Sequence, residues 1–246
     1  MISLYPSGRS SDWKKDRKVF TVHSAYSSVL NLAGGDGRRY SLITDGHDFQ
    51  PRSALIEAFP DLKTCESVSV ILEDVEVSYD PTIVREKVNP LWRGLWLEWL
   101  HFLEEDMLCC LLPFVTDPGQ MLGIGPGSTP AGDDFIAGFA TALGCSKSEV
   151  SYGPGEFKKT LEKVDSCTTW FSGEMIKDAM NGLVWLRGQQ LCKALAGDSS
   201  SEMLTAVGQI YGWGHLSGRA WLAGFSAGLE RSLSHSVPKR NGGQIS

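Results

Sequence analysis

The sequence is short of several features that mark common function classes. Positive charge is not in excess: 23 Lys and Arg stand against 29 Asp and Glu, a formal net charge of −6, so there is no basic footprint for nucleic acid and no nucleic-acid partner is expected. The one basic run, Lys14, Lys15, Arg17 and Lys18, is interrupted by Asp16 and reads as a solvated segment. Six cysteines occur, but no C-x-x-C, and no spacing to the five histidines suits a metal. The first residues lack an apolar signal core, so the expectation is reduced thiols and a cytoplasmic protein. The most apolar stretch, Leu91 to Val115, carries Arg93, Glu98, Glu104, Glu105 and Asp106. Each would cost about 2.5–3.5 kcal/mol at mid-bilayer. The stretch therefore reads as a buried or half-buried helix, with no membrane partner.

Glycine, by contrast, is abundant: 27 of 246 residues, about 11% against a usual 7% or so. The glycines have no triplet period, which excludes collagen, and eight Trp with ten Phe exclude a disordered chain. Only five glycines fall in the first 80 residues, whereas seven lie between Gly119 and Gly144 and six between Gly208 and Gly228.

Hydrophobic patterning changes along the chain. Residues 18–80 are β-prone, with runs at Val19–His23, Ser28–Leu32, Tyr40–Thr44 and two alternating patches within Val68–Val77. Gly34-Gly35-Asp36-Gly37 reads as a turn. Pro81 and Pro90 bracket the passage to a helical regime. There Leu91, Leu95, Trp99 and Phe102 keep the spacing of one helix face. Further helices are expected at Gly132–Leu143, opened by Pro130, and at Gly155–Thr169, Ser172–Ala196, Ser201–Tyr211 and Ser217–Leu233. The fold class is α+β, a β-rich N-terminal third followed by closely packed helices. The expected organisation is a β-rich region over 1–88, a helical region over 89–235 and a flexible tail over 236–246.

The first glycine cluster reads Gly123-Ile-Gly-Pro-Gly-Ser-Thr-Pro-Ala-Gly-Asp-Asp134, and Asp133 and Asp134 are the only charges between Gly119 and Gly144. Gly123, Gly125 and Gly127 let backbone N–H groups converge and a ligand approach closely. The following helix start favours an anion, with Ser128 and Thr129 adding hydroxyl donors. A phosphate or carboxylate is a sensible occupant, although two aspartates would repel a bare anion. Either one carboxylate caps the turn, or one holds a divalent metal that bridges to the anion, or one orients a substrate nitrogen. The metal is the less favoured of these, and the cofactor requirement is open. No Gly-Lys-[Ser/Thr] follows, so the turn is not a P-loop, and Ser-Thr-Pro breaks the helix start that a dinucleotide fingerprint needs. His-Glu-x-x-His is also absent.

The second cluster, Gly212 to Gly228, holds His215 and one permanent charge, Arg219. Ser217 is a natural helix cap. Ala220, Gly224 and Ala227 form a small-residue face whose mate on the aspartate-bearing helix would be Gly138 and Ala142. If these faces pack, the two turns line one cleft. His215 is then a proton carrier and Arg219 an anion clamp. The competing readings are a hydrogen-bonded turn histidine and an Arg219 salt bridge to Asp133 or Asp134. His23 and Arg52 read as structural.

The run from Gly123 to Phe135 resembles a family first catalogued without a function that includes the AllH-type subunit of oxamate carbamoyltransferase, from anaerobic allantoin breakdown. Val22-His23-Ser24, Asn31-Leu32, the Pro51 segment and Gly214-His215-Leu216-Ser217-Gly218 look like its other landmarks. The resemblance implies carbamoyl transfer between oxamate and carbamoyl phosphate in a complex with other subunits, within purine catabolism. It implies a site of Gly123, Gly125, Gly127, Thr129, Gly132, Asp133 and Asp134 with His215, Ser217 and Gly218. Two departures stand out: Ser128-Thr129-Pro130-Ala131 where the family usually has Leu-Thr-Pro-Ser, and Ala220, beside Arg219, where it has an acid. The expectation is a carbamoyltransferase-type subunit acting on small amides or ureides, with Asp133, Asp134 and His215 catalytic. The alternatives are a non-catalytic anion-binding or scaffolding subunit and, more weakly, a metal-dependent phosphotransfer enzyme.

Overall fold

A computed structural model describes residues 1–104, 106–114, 117–145 and 162–234. Eight strands form one sheet: β1 (Ile2–Leu4), β2 (Gly8–Ser10), β3 (Arg17–Ala25), β4 (Val29–Gly34), β5 (Arg39–Ile43), β6 (Ser53–Leu55), β7 (Ser67–Ile71) and β8 (Val77–Tyr79). Their order across the sheet is β1-β7-β3-β4-β5-β6-β2-β8. The antiparallel centre β7-β3-β4-β5 comes from the four β-prone runs, with Phe20 opposite Gly34 and Leu32 opposite Tyr40. The outer strands β1, β2 and β6 have three residues each. Runs so short carry almost no alternation to read, which is why the sequence did not single them out.

The sheet curls around its own core of Trp13, Phe20, Val22, Leu30, Leu32, Leu42, Val68 and Val70. Trp13 meets Phe20 edge-on at 5.4 Å between centroids and Tyr40 at 4.9 Å. All five residues of β5 are buried, because successive side chains face opposite sides. Tyr40 and Leu42 join the sheet core, while Arg39 reaches the helices through Asp178 on the other face.

The helical part comprises α1 (Arg93–Glu98), α2 (Ala131–Cys145), α3 (Trp170–Met180), α4 (Leu186–Ala196), α5 (Ser200–Tyr211) and α6 (Ser217–Ser234), with a further helical stretch over 162–167. Thirteen of the 15 residues of α2 are buried, as expected of a helix apolar on every side. Its main partner is α6. An added Cβ on Gly138 would meet the Trp221 carbonyl oxygen at 2.0 Å, and one on Gly224 the Phe135 carbonyl oxygen at 2.0 Å. The backbones touch directly at those two positions. The predicted mates Gly138 and Ala142 lie in this seam; on α6 the close approaches are at Gly224 and Gly228, the latter facing Ala142, and Ala220 and Ala227 are buried in a cluster with Phe135, Ile136 and Phe139 of α2.

Two helix expectations need correction. The stretch from Leu91 is not one α-helix: α1 is followed by 3-10 turns over Trp99–Glu104 and Asp106–Phe114. Its buried residues include Trp92, Trp96, Trp99, Leu108 and Leu111, while Leu91 is exposed. The Trp96 carbonyl accepts from the Ser226 hydroxyl of α6 as well as from the Trp99 N–H, which favours the tighter winding. The single helix read over Ser172–Ala196 is two, α3 and α4. Gly182 there adopts a φ of 72°, and the connection is tied to the chain near Pro81 through Ile83 N–H to Gly182 O and Val184 N–H to Pro81 O, both 2.8 Å. Part of the Gly155–Thr169 helix and the whole tail lie outside the described residues. Among those residues no helix is long and apolar enough to cross a membrane.

Candidate functional site

The first glycine cluster forms an irregular turn leading into α2. Gly123, Gly125 and Gly127 have φ of 75°, 117° and 95°, the left-handed region that side chains disfavour. Gly132 serves closeness instead: a Cβ there would lie 1.9 Å from the Met121 carbonyl oxygen. Two of the anticipated backbone donors are spent internally, Gly123 N–H on the Asp133 carboxylate at 2.8 Å and Gly132 N–H on Ile124 O at 2.8 Å. Gly125, Gly127 and Ser128 are exposed. Among the described residues their N–H groups donate to no backbone or side-chain acceptor.

The two aspartates have different surroundings. Asp133 takes the Gly123 N–H on one oxygen and the Thr168 hydroxyl on the other. Burial raises its pKa, and the bonds from Thr168 and Gly123 oppose the rise. With both oxygens engaged, Asp133 ties the turn to the segment before α3. Asp134 is 1% exposed, and neither of its oxygens has a hydrogen-bond partner. Burial pushes its pKa well up, and the charge of Asp133 adds to this. The nearby Ser217 hydroxyl tempers the shift without reaching hydrogen-bond geometry to either oxygen. A carboxyl in this setting keeps its proton. Among the described residues no three His, Cys, Asp or Glu side chains converge as metal ligands.

The second cluster meets the first at one bond: Thr129 Oγ1 and Ser217 Oγ are 3.2 Å apart. Ser217 opens α6, so the two turns come together above the Gly138–Gly224 seam. Gly218 is spent on packing, with its N–H on Trp213 O at 3.1 Å and an added Cβ only 1.8 Å from Ile210 O. His215 is exposed on the turn before α6. Arg219 lies over the Tyr211 ring at 5.9 Å, and no ion pair joins it to Asp133 or Asp134, whose surroundings are those just given.

One motif in α6 is easily misread. Gly224-Phe225-Ser226-Ala227-Gly228 has the Gly-x-Ser-x-Gly spacing of a hydrolase nucleophile elbow, which needs a strand-to-helix turn. Here it lies inside a helix, and Ser226 is fully buried with its hydroxyl on Trp96 O. The hydrolase template therefore fails on geometry.

Residues 121–229 match the family model described as oxamate carbamoyltransferase subunit AllH. The AllH match runs from Met121 to Leu229 and so takes in both glycine clusters, bearing out the resemblance read from Gly123 to Phe135. No curated protein and no solved structure matches the chain.

A second polar cluster went unread in the sequence, between the sheet and α3. Arg52 donates to both oxygens of Asp178 at 2.8 and 2.7 Å, and Arg39 reaches the same carboxylate at 3.4 Å. Arg38 pairs with Glu174 at 3.1 Å. The available signal was the helical i, i+4 spacing of Glu174 and Asp178 together with adjacent arginines in a β-prone run. Nothing local says that the two meet. His23, also read as structural, lies exposed against Trp170 at 4.9 Å between centroids.

Proposed function

We propose that the chain is a subunit of a carbamoyltransferase-type enzyme that works on oxamate, carbamoyl phosphate and oxalurate together with other subunits, in the breakdown of purine-derived ureides. One observation carries this reading: Asp134, a carboxyl fully buried and without a hydrogen-bond partner, beside the Thr129–Ser217 contact that joins the two glycine-rich turns. The free N–H groups around Gly125, Gly127 and Ser128 hold the phosphate, and the Thr129 and Ser217 hydroxyls border it. Asp133 sets the turn.

In the phosphorolytic direction a phosphate oxygen attacks the carbamoyl carbon of oxalurate and the C–N bond breaks. The departing oxamate nitrogen takes a proton, and in this reading Asp134, whose burial favours its protonated form, supplies it. In the synthetic direction the same carboxylate recovers that proton as the nitrogen attacks carbamoyl phosphate. His215, exposed, relays the proton to water, and Arg219 steers anions towards the turn. The six free cysteines fit a cytoplasmic setting.

The assay is phosphorolysis of oxalurate by the chain, alone and with candidate partner subunits, with phosphate binding followed by calorimetry. The expected outcome is turnover in at least one combination, reduced about 100-fold or more by Asp134→Asn while phosphate still binds. Absence of turnover in every combination, together with absence of phosphate binding, overturns the reading. A non-catalytic anion-binding or scaffolding subunit is the second reading, favoured by the exposure of His215. It predicts phosphate binding unchanged by Asp134→Asn and no turnover in any combination.

A further inference from the structure

Between the sheet and the helices lies a cavity of about 80 Å³, lined from the second glycine cluster by Trp213 and Trp221 and by none of the glycines, aspartates or hydroxyls of the candidate site. A single water needs about 10–15 Å³ of such space, so the cavity suits a small organic molecule better than a single water. Its apolar walls include Val29, Ala137, Met175 and three indoles, Trp185, Trp213 and Trp221. Trp185 lies 4.6 Å from Trp213 and 5.7 Å from Trp221 between ring centroids. Such walls favour a flat ligand.

The polar groups in the same lining are Arg39, Asp48, Gln50, Thr141 and Asp178. Two of the acids are committed elsewhere, Asp48 to Arg187 at 2.7 Å and Asp178 to Arg52 at 2.7 Å. Arg39 is 1% exposed; it donates to Gln50, meets Asp178 at 3.4 Å and lies over the Phe171 ring at 4.9 Å, while its Nε has no partner. A buried guanidinium N–H left open calls for a further acceptor. The Gln50 side-chain oxygen accepts from Arg39, which turns its amide N–H₂ into a second donor. The Thr141 hydroxyl donates to Ala137 O at 2.8 Å and keeps its lone pairs for a ligand N–H.

We propose that this pocket binds a small planar carboxylate that also carries an N–H group, with the carboxylate on Arg39 and Gln50, the N–H on Thr141 and the flat face against the indoles. The proposal concerns binding alone and stands whether or not the chain transfers a carbamoyl group. The test titrates the full chain, without phosphate or partner subunits, with oxamate, acetate and acetamide, following tryptophan emission and heat of binding. Oxamate is expected to bind saturably, acetate at least several-fold more weakly, and acetamide, which lacks the charge, not at all over the same range. Ala137→Leu fills the space and should weaken oxamate at least tenfold without lowering the melting temperature. Arg39→Lys should weaken oxamate and acetate alike. Thr141→Val, which removes only the hydroxyl, should weaken oxamate and leave acetate unchanged. Absence of saturable oxamate binding, acetamide binding as well as oxamate, or unchanged oxamate affinity in a folded Ala137→Leu or Thr141→Val variant overturns the proposal.

Discussion

At the scale of single residues, Asp133 and Asp134 are adjacent in sequence and opposite in role. Both belong to the first turn of α2, where acids suit the helix dipole. The difference arises from partners far along the chain: Thr168 bonds Asp133, while only Ser217 approaches Asp134. The pair was conspicuous in the sequence, but its division of labour was not, because a hydroxyl 35 positions away decides it. The raised Asp134 pKa has a consequence for stability. An acid whose folded pKa is raised above the usual carboxylate range binds its proton more tightly when folded. Its contribution is therefore fully present below that range and is lost as pH rises towards the folded pKa. Replacing Asp134 by Asn removes this dependence and leaves that of Asp133. Urea unfolding of both proteins across pH 4 to 8 should show wild type losing stability relative to Asp134→Asn as pH rises. Parallel curves would mean that Asp134 titrates normally and is not the proton carrier.

Among the elements, the α2–α6 pair decides whether the two turns can meet. Glycine clusters at helical spacing made this contact legible in outline, and the structure adds the close approach of Gly228 to Ala142. Small side chains at these spacings look alike, and only the crossing angle selects which of them face the partner. The helix read across Ser172–Ala196 failed for another reason: hydrogen bonds to the chain at Pro81 and Ile83 hold the connection after α3 out of helical winding, and partners so distant leave no mark in the local pattern. Glycine at the seam and glycine on the surface should behave oppositely. A methyl at Gly138 collides with backbone that cannot turn aside, so Gly138→Ala should cost about 1–3 kcal/mol or more and disturb the Thr129–Ser217 contact about two helical turns away. Gly208 is exposed inside α5 with open space around its Cβ position, so Gly208→Ala should gain about 0.5–1 kcal/mol through helix propensity. Thermal melts of the two variants check this, and equal effects would mean that the seam is looser than described.

For the whole molecule, the question is what fixes the sheet against the helices. The sheet side contributes cations, Arg38, Arg39 and Arg52, and α3 contributes the anions Glu174 and Asp178. Neither side could bury this surface alone, because each would carry unpaired charge out of water. Arg52 holds a non-glycine left-handed backbone at φ 53° to reach Asp178, and its own N–H is fixed by Asp12 at 2.9 Å. Asp178 is the common partner, so its removal should be felt by two buried arginines at once. Asp178→Ala is expected to cost about 3–5 kcal/mol, the usual penalty for stranding a buried charge. Arg38 adds little to that, since its side chain is 45% exposed and solvent screens it. If the cost comes from stranded charge and not from lost packing, adding Arg52→Met to Asp178→Ala should return part of the stability. The double variant would then be more stable than the sum of the single losses by about 0.5–3 kcal/mol. Urea unfolding of the four proteins gives that coupling directly. Strict additivity would show that the arginines and Asp178 are adjacent without depending on one another, and that the sheet is held by Tyr79, Phe49 and their hydrogen bonds to the α3–α4 connection instead.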